Sequence, residues 1–228
     1  MITGILSGVQ DNLGETVLAI GALGTAAYGL VDVSKAAWGG ISRAGFGHIL
    51  KGLAPYGPAL DLATGSDWPG MLRAHWLNGR AKDEQKAIAR ALIRLGLSAE
   101  TAAPVAMAAR VDPVALTAVA VKLNRGEGLD DADLNVLGRF DAVLESQMDA
   151  AFERAEQQYR SAARGLAAVV AVVLALIAVG APFDGEFLWT EFWTAILFGV
   201  IAVPLAPVAK DLASALSAAV KAVRSGAG

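Results

Sequence analysis

The chain has no cysteine and only two histidines among its 228 residues. The lack of cysteine excludes disulfide bonds, thiolate nucleophiles and cysteine-ligated zinc or iron–sulfur sites. His48 and His75 have no partner ligand at a metal-binding spacing such as His-x-x-x-His. The chain also lacks a Gly-x-Ser-x-Gly elbow and the spacing of a phosphate-binding loop. The sequence therefore predicts neither an enzyme nor a cofactor.

A surplus of basic residues is missing too, because the formal net charge is -3. This charge argues against nucleic acid as the main partner. One acidic segment is similar to the opening of a calcium-binding loop, with Asp131, Asp133 and Asn135 in the right places. That loop also needs a glycine and a glutamate at positions that hold Val136 and Ala142 here. We therefore expect the segment to begin a helix and to bind no metal.

Three long stretches contain no charged residue: 16–31, 165–181 and 192–209. Hydrophobic residues make up 55% of the chain and the mean hydropathy is +0.48. A helix of about 20 apolar residues is needed to cross a bilayer. Because no strand-like alternation is convincing, the sequence predicts an all-α integral membrane protein with three transmembrane helices and a charged helical domain.

If these three stretches span a membrane, all nineteen Lys and Arg residues lie on the same side of it. Segments 1–15 and 182–191 hold five acids and no basic residue. The positive-inside rule then places the N-terminus outside and the C-terminus in the cytoplasm. We therefore expect a multi-pass protein of the cell inner (plasma) membrane. The expected organisation is an outer N-terminus with the first span (1–35), a cytoplasmic helical domain with an interfacial elbow (36–164), a transmembrane hairpin (165–209) and an amphipathic cytoplasmic tail (210–228).

The first uncharged stretch is short and rich in small residues, so a re-entrant segment and a cleaved signal peptide are alternatives to a span. Small residues let another helix approach closely in lipid. We expect this helix to form the interface of a homo-oligomer through its small residues, which are Gly14, Gly21, Gly24, Thr25 and Gly29.

The third stretch is interrupted by Pro204 and Pro207, which should kink the helix. In the tail beyond it, a stripe of basic residues at helical spacing faces away from a stripe of apolar residues, which is typical of a helix lying on anionic lipid. The elbow after the first stretch has a similar pattern, with Ile49 and Leu53 supplying apolar surface. The basic residues expected to face membrane lipids are Arg43, Lys51, Lys210, Lys221 and Arg224.

The charged part carries clear helix signals. A helix should run from Lys82 to about Gly96, and another should begin at Asp112 and Pro113 and close at Gly126. The second of these helices is apolar on nearly every side, so we expect it at the centre of the domain.

A long apolar stripe recurs at helical spacing from Leu137 to Leu166. No Gly or Pro lies between Phe140 and Arg164, so one continuous helix should run into the second span. Trp68 and Trp76 either anchor at the headgroups or help build the domain core.

A homo-oligomeric pore or ion channel is the leading function predicted by these patterns. Glu15 and Asp32, at the two ends of the first stretch, are the candidate pore acids. The alternative is a membrane-anchored scaffold or regulatory binding protein that recruits a cytoplasmic protein.

Overall fold

The computed structural model describes residues 13–38, 43–178 and 189–226. These residues form nine α-helices and a 3-10 turn at Ala54–Tyr56, with no β-strand among them. The predicted all-α fold is confirmed. The helices are α1 (Leu13–Trp38), α2 (Phe46–Leu53), α3 (Gly57–Thr64), α4 (Trp68–Leu77), α5 (Lys82–Leu95), α6 (Ala102–Ala108), α7 (Pro113–Arg125), α8 (Asp131–Ala178) and α9 (Trp189–Gly226).

The chain divides into two compact units. The apolar unit comprises Met1–Trp38 with Ser161–Gly228, and the helical domain comprises Gly39–Arg160. Three helices are long and apolar enough to cross a membrane: α1 over Gly14–Ser34, α8, and α9 over Phe192–Leu212. This agrees with the three uncharged stretches. Most of the acidic turn expected at 182–191 lies outside the described residues.

Small residues bring the helices of the apolar unit together. A Cβ added to Gly24 would collide with the carbonyl group of Ala202 on α9, and one added to Gly21 would collide with Ala209. Gly199 of α9 lies in the same way against the backbone of Val172 on α8. The inward positions of this part of α8 are also small, at Ala167, Ala171 and Ala175. Close backbone approach of this kind is how helices pack in lipid, where side-chain burial brings little gain.

Helix α9 continues through both of its prolines. Pro204 and Pro207 are exposed, so their rings face away from the packed side of the helix. The tail expected to begin at Lys210 is a continuation of the same helix, which ends at Gly226.

The helical domain is built around the first part of α8. Its apolar stripe is buried as the spacing predicts, and Phe140 and Leu144 have no exposed surface. The predicted long helix is confirmed, since α8 is unbroken over 48 residues. Trp68 belongs to the same core, and Trp76 packs against it while its ring meets Tyr159 edge-on, with centroids 6.3 Å apart. Both tryptophans thus build the domain.

Helix α7 begins and ends where the sequence indicates. The Asp112 carboxylate accepts hydrogen bonds from the backbone N–H groups of Val114 and Ala115, and Gly126 closes the helix at φ 66°. Its expected central position was wrong. Only one side of α7 is buried, through Leu116, Val119 and Ala120, while Val114 is 79% exposed. An apolar composition on all sides did not require burial on all sides.

Candidate functional surfaces

The small residues of α1 differ in how far they are covered. Gly21 and Gly24 lie in the contact with α9 inside one chain. Gly14 and Gly29 are exposed, and an added Cβ at either would have no neighbour within 4 Å. Thr25 is exposed as well, and its hydroxyl donates a 2.9 Å hydrogen bond to the Gly21 carbonyl oxygen. Thus α9 covers Gly21 and Gly24, whereas the other small residues of α1 are open to the surroundings.

The two candidate pore acids are exposed at opposite ends of α1. Glu15 lies in the first turn and Asp32 lies in the last third of the helix. One chain therefore does not bring these carboxylates together.

The basic residues expected to face lipid occupy different settings. Arg43 and Lys51 are exposed, but Ile49 and Leu53 are buried in the core of the helical domain, so the apolar face of α2 packs on protein. Lys210 is exposed at the edge of an apolar groove of about 640 Å³ between α1 and α9. The side chains of Lys221 and Arg224 lie outside the described residues.

A charge ladder joins α5 to α8, and sequence reasoning missed it. Four basic residues of α5 at four-residue spacing face four acids of α8 at the same spacing, and each step up α5 matches a step down α8 as antiparallel helices require. The ion pairs are Lys82 with Glu153 at 2.8 Å, Lys86 with Asp149 at 2.7 Å and with Glu145 at 3.1 Å, Arg90 with Glu145 at 3.3 Å, and Arg94 with Asp141 at 3.8 Å.

Lys86 is the central member of the ladder, with a side chain only 10% exposed. Its ammonium group also reaches Asp83, 3.1 Å away. The hydrogen bond that the Lys86 ammonium donates to the Asp149 carboxylate is the main reason why the pKa of Lys86 is raised, and the same bond lowers the pKa of Asp149. In the same way, Glu153 raises the pKa of Lys82 and has its own pKa lowered. The two equal periods were the signal for this pairing, but each is also typical of a solvated helix face.

The opposite flank of α8 borders a second polar feature, which we name the basic groove. It lies between α2 and α8 and has a volume of about 380 Å³. The residues that shape it are His48, Lys51, Gly52, Gln147, Ala151 and Arg154. No carboxylate is among the described residues that line it. Within the described residues, neither Lys51 nor Arg154 has an ion-pair partner.

Two local features hold the walls of this groove in place. Gly52 lets α2 approach α8, since an added Cβ would lie 2.5 Å from the Cβ of Ala151. Gln147 is held at both ends: its Oε1 accepts a 2.8 Å bond from the buried Tyr56 hydroxyl, and its Nε2 donates to the Ala108 carbonyl oxygen at 3.1 Å. The wall of the groove is therefore tied to the domain core.

The described part of the chain contains no group of three His, Asp or Glu side chains able to hold a metal ion. Comparison with known proteins found no matching protein family, no matching curated protein and no matching solved structure. Any functional assignment therefore depends on the sequence and the geometry of this chain.

Proposed function

We propose that this protein is a membrane-anchored binding protein. Its three apolar helices hold it in the inner membrane with the N-terminus outside, and its helical domain recruits a soluble protein in the cytoplasm. The orientation is supported by the one-sided distribution of Lys and Arg.

The observation that carries this proposal is the contact of Gly21 and Gly24 with α9. The closest-packing face of α1 is occupied within one chain, so the apolar unit does not need a second copy to cover it. Three helices cannot enclose a conduit, and a self-sufficient unit of three helices suits an anchor better than a pore.

The helical domain also offers a place for a protein partner. Gly96 at the end of α5 contacts Ala59 of α3. Leu95 adjoins Gly96 and is 71% exposed, and Leu62, one turn after Ala59, is 59% exposed. Single exposed apolar side chains are ordinary, but two beside the same helix junction supply an apolar centre of the kind that protein interfaces use.

A photoreactive amino acid placed at Leu62 or Leu95 in living cells tests this proposal. We expect both positions to give the same discrete adduct with one soluble protein. The same amino acid at Glu127, an exposed site outside this junction, is the matched control and should give none. No adduct at either leucine would contradict the recruitment of a partner at this surface.

The pore remains a second candidate because α1 also has exposed small residues, including Gly14, Thr25 and Gly29. A second copy docked there would extend the bundle and bring Asp32 residues of different copies near one another. The mass of the detergent-solubilised protein separates the two functions, since a monomer removes the pore. Ion flux through proteoliposomes by a defined oligomer would favour it.

A further inference from the structure

The basic groove between α2 and α8 has the composition of an anion site. His48 and Lys51 come from α2 and Arg154 comes from α8, so three nitrogen-bearing side chains converge on one concave space. Lys51 is exposed and His48 half-buried, so both are accessible to a ligand from solution. The floor consists of Gly52, Ala150 and Ala151, which leave room because they have little or no side chain.

No carboxylate of the described residues pairs with Lys51 or Arg154. The acids of α8 at Asp141, Glu145, Asp149 and Glu153 are all engaged by α5 on the other flank of the helix. Glu156 pairs instead with Arg160 at 3.2 Å. Two cations that face one space without a carboxylate repel each other, and a bound anion removes that repulsion. Lys51 and Arg154 differ from exposed basic residues such as Arg139 because both line one groove.

We propose that the basic groove binds a phosphoryl group. A guanidinium donates two parallel hydrogen bonds to phosphate oxygens, a lysine ammonium supplies a compact charge, and an imidazole N–H supplies a further donor. The volume of about 380 Å³ lies in the range of small-ligand pockets, which begins at about 300 Å³. Gln147 positions the wall, because each end of its amide is bonded to the helical domain.

The phosphoryl group has two available sources, a soluble phosphate compound or the headgroup of an anionic lipid. Arg154 lies shortly before the uncharged stretch that begins at Gly165, which is compatible with a lipid headgroup and with a soluble phosphate. The inference does not depend on recruitment of a protein partner, because it concerns only this chain and a phosphate probe.

Calorimetric titration of the full chain tests the proposal, first with inorganic phosphate in a neutral maltoside detergent. The second arm compares nanodiscs of phosphatidylcholine alone with nanodiscs that also contain phosphatidic acid, and measures retained phosphatidic acid by native mass spectrometry. Binding in the first arm identifies a soluble source, and binding only in the second identifies a lipid headgroup. Each result supports the site provided that it depends on Lys51 and Arg154.

We expect Lys51→Gln and Arg154→Gln each to lower the affinity about tenfold, the loss of one charge-assisted hydrogen bond. Arg154→Lys should fall between Arg154→Gln and the wild type because it keeps the charge without the fork of two donors. Arg139→Gln is the matched control, since Arg139 is exposed on the same helix and does not line the groove. Acylation of Lys51, read by mass spectrometry, should also slow when the bound probe is present, which requires no variant.

The proposal is overturned if the wild type binds neither inorganic phosphate nor phosphatidic acid. It is equally overturned if Arg139→Gln weakens binding as much as Arg154→Gln, or if the acylation rate of Lys51 does not respond to a probe that binds. Failure of this titration leaves the partner adduct at Leu62 and Leu95 unaffected, so the two proposals fail separately.

Discussion

At the scale of single residues, two glycines of α1 differ only in what stands opposite them. Gly24 meets the carbonyl group of Ala202 on α9, whereas Gly29 meets nothing within 4 Å. Their helical propensity is the same, so a substitution at each position isolates the effect of the contact.

We expect Gly24→Leu to separate α1 from α9 and to lower the thermal stability of the protein in detergent, because the leucine side chain has no room beside a backbone carbonyl. Gly29→Leu is the matched control and should leave the melting temperature of the apolar unit nearly unchanged. Equal losses from both variants would show that the contact with α9 does not hold α1. If only Gly29→Leu lowers the mass of the detergent-solubilised protein, a second copy contacts α1 at Gly29.

Tyr56 shows the same dependence on its surroundings within the helical domain. It is fully buried, its ring meets Phe140 edge-on at 6.4 Å, and its hydroxyl donates to Gln147. Tyr56→Phe keeps the ring and leaves the Gln147 oxygen without this donor. We expect the free energy of unfolding to fall by about 1 to 2 kcal/mol, measured by urea denaturation in detergent. Thr64→Val is the control, since the Thr64 hydroxyl bonds only its own helix at Leu60 and the variant should change little.

The same hydroxyl makes the domain sensitive to alkali. Burial raises the pKa of Tyr56 to about 12, whereas an unfolded tyrosine ionises near about 10. The contribution of Tyr56 is therefore complete below the unfolded pKa and is lost as the pH rises toward the folded one. We expect stability to fall between pH of about 10 and 12, and Tyr56→Phe to reduce this slope. Deprotonation of the lysines whose pKa values are raised also lowers the stability of the protein as the pH rises. A slope unchanged by the variant would therefore assign the whole effect to these lysines.

At the scale of elements, the charge ladder decides how α5 and α8 pair. Exposed ion pairs contribute little, because solvent screens them and ordering long side chains costs entropy. Lys86 differs from the other members because its side chain is almost buried among three carboxylates. We therefore expect the ladder to act mainly through Lys86, with a small contribution from the outer pairs.

We expect Lys86→Glu to destabilise the helical domain by at least about 3 kcal/mol, because it places a fourth carboxylate where a buried cation was. Adding Asp149→Lys should restore part of this loss by reversing the pair. The control is Arg73→Glu, an exposed charge reversal on α4, which should have a small effect. Urea denaturation of the wild type, Lys86→Glu, Asp149→Lys and the double variant gives the coupling energy directly, and a coupling of zero would remove the ladder as a determinant of helix pairing.

At the scale of the whole molecule, the distribution of basic residues predicts the orientation in the membrane, and the absence of cysteine makes this orientation easy to test. A cysteine introduced at Gly185 should react with a membrane-impermeant thiol reagent in intact cells. A cysteine at Glu127, in the helical domain, should react only after the cells are opened. Labelling in the reverse pattern would invert the orientation.

The sequence predicted those features that depend on neighbours along the chain. Asp112, Pro113 and Gly126 bounded α7 correctly, because capping and left-handed closure are local backbone requirements. The unbroken course of α8 could equally be predicted, since no Gly or Pro lies between Phe140 and Arg164. The partial burial of α7 could not be predicted, because Val114 and Leu123 are as apolar as the buried positions and only tertiary packing selects among them.

By itself, the sequence determined an all-α chain with three helices long and apolar enough to cross a membrane, because bilayer thickness sets the length of an apolar run. It also determined that no Lys or Arg lies in segments 1–15 and 182–191. Only the tertiary structure decided that Gly24 meets α9, that Lys86 meets Asp149, and that Lys51 and Arg154 border one groove. These partners are far apart along the chain, and which surfaces meet depends on the packing of whole helices, which no local pattern of residues contains.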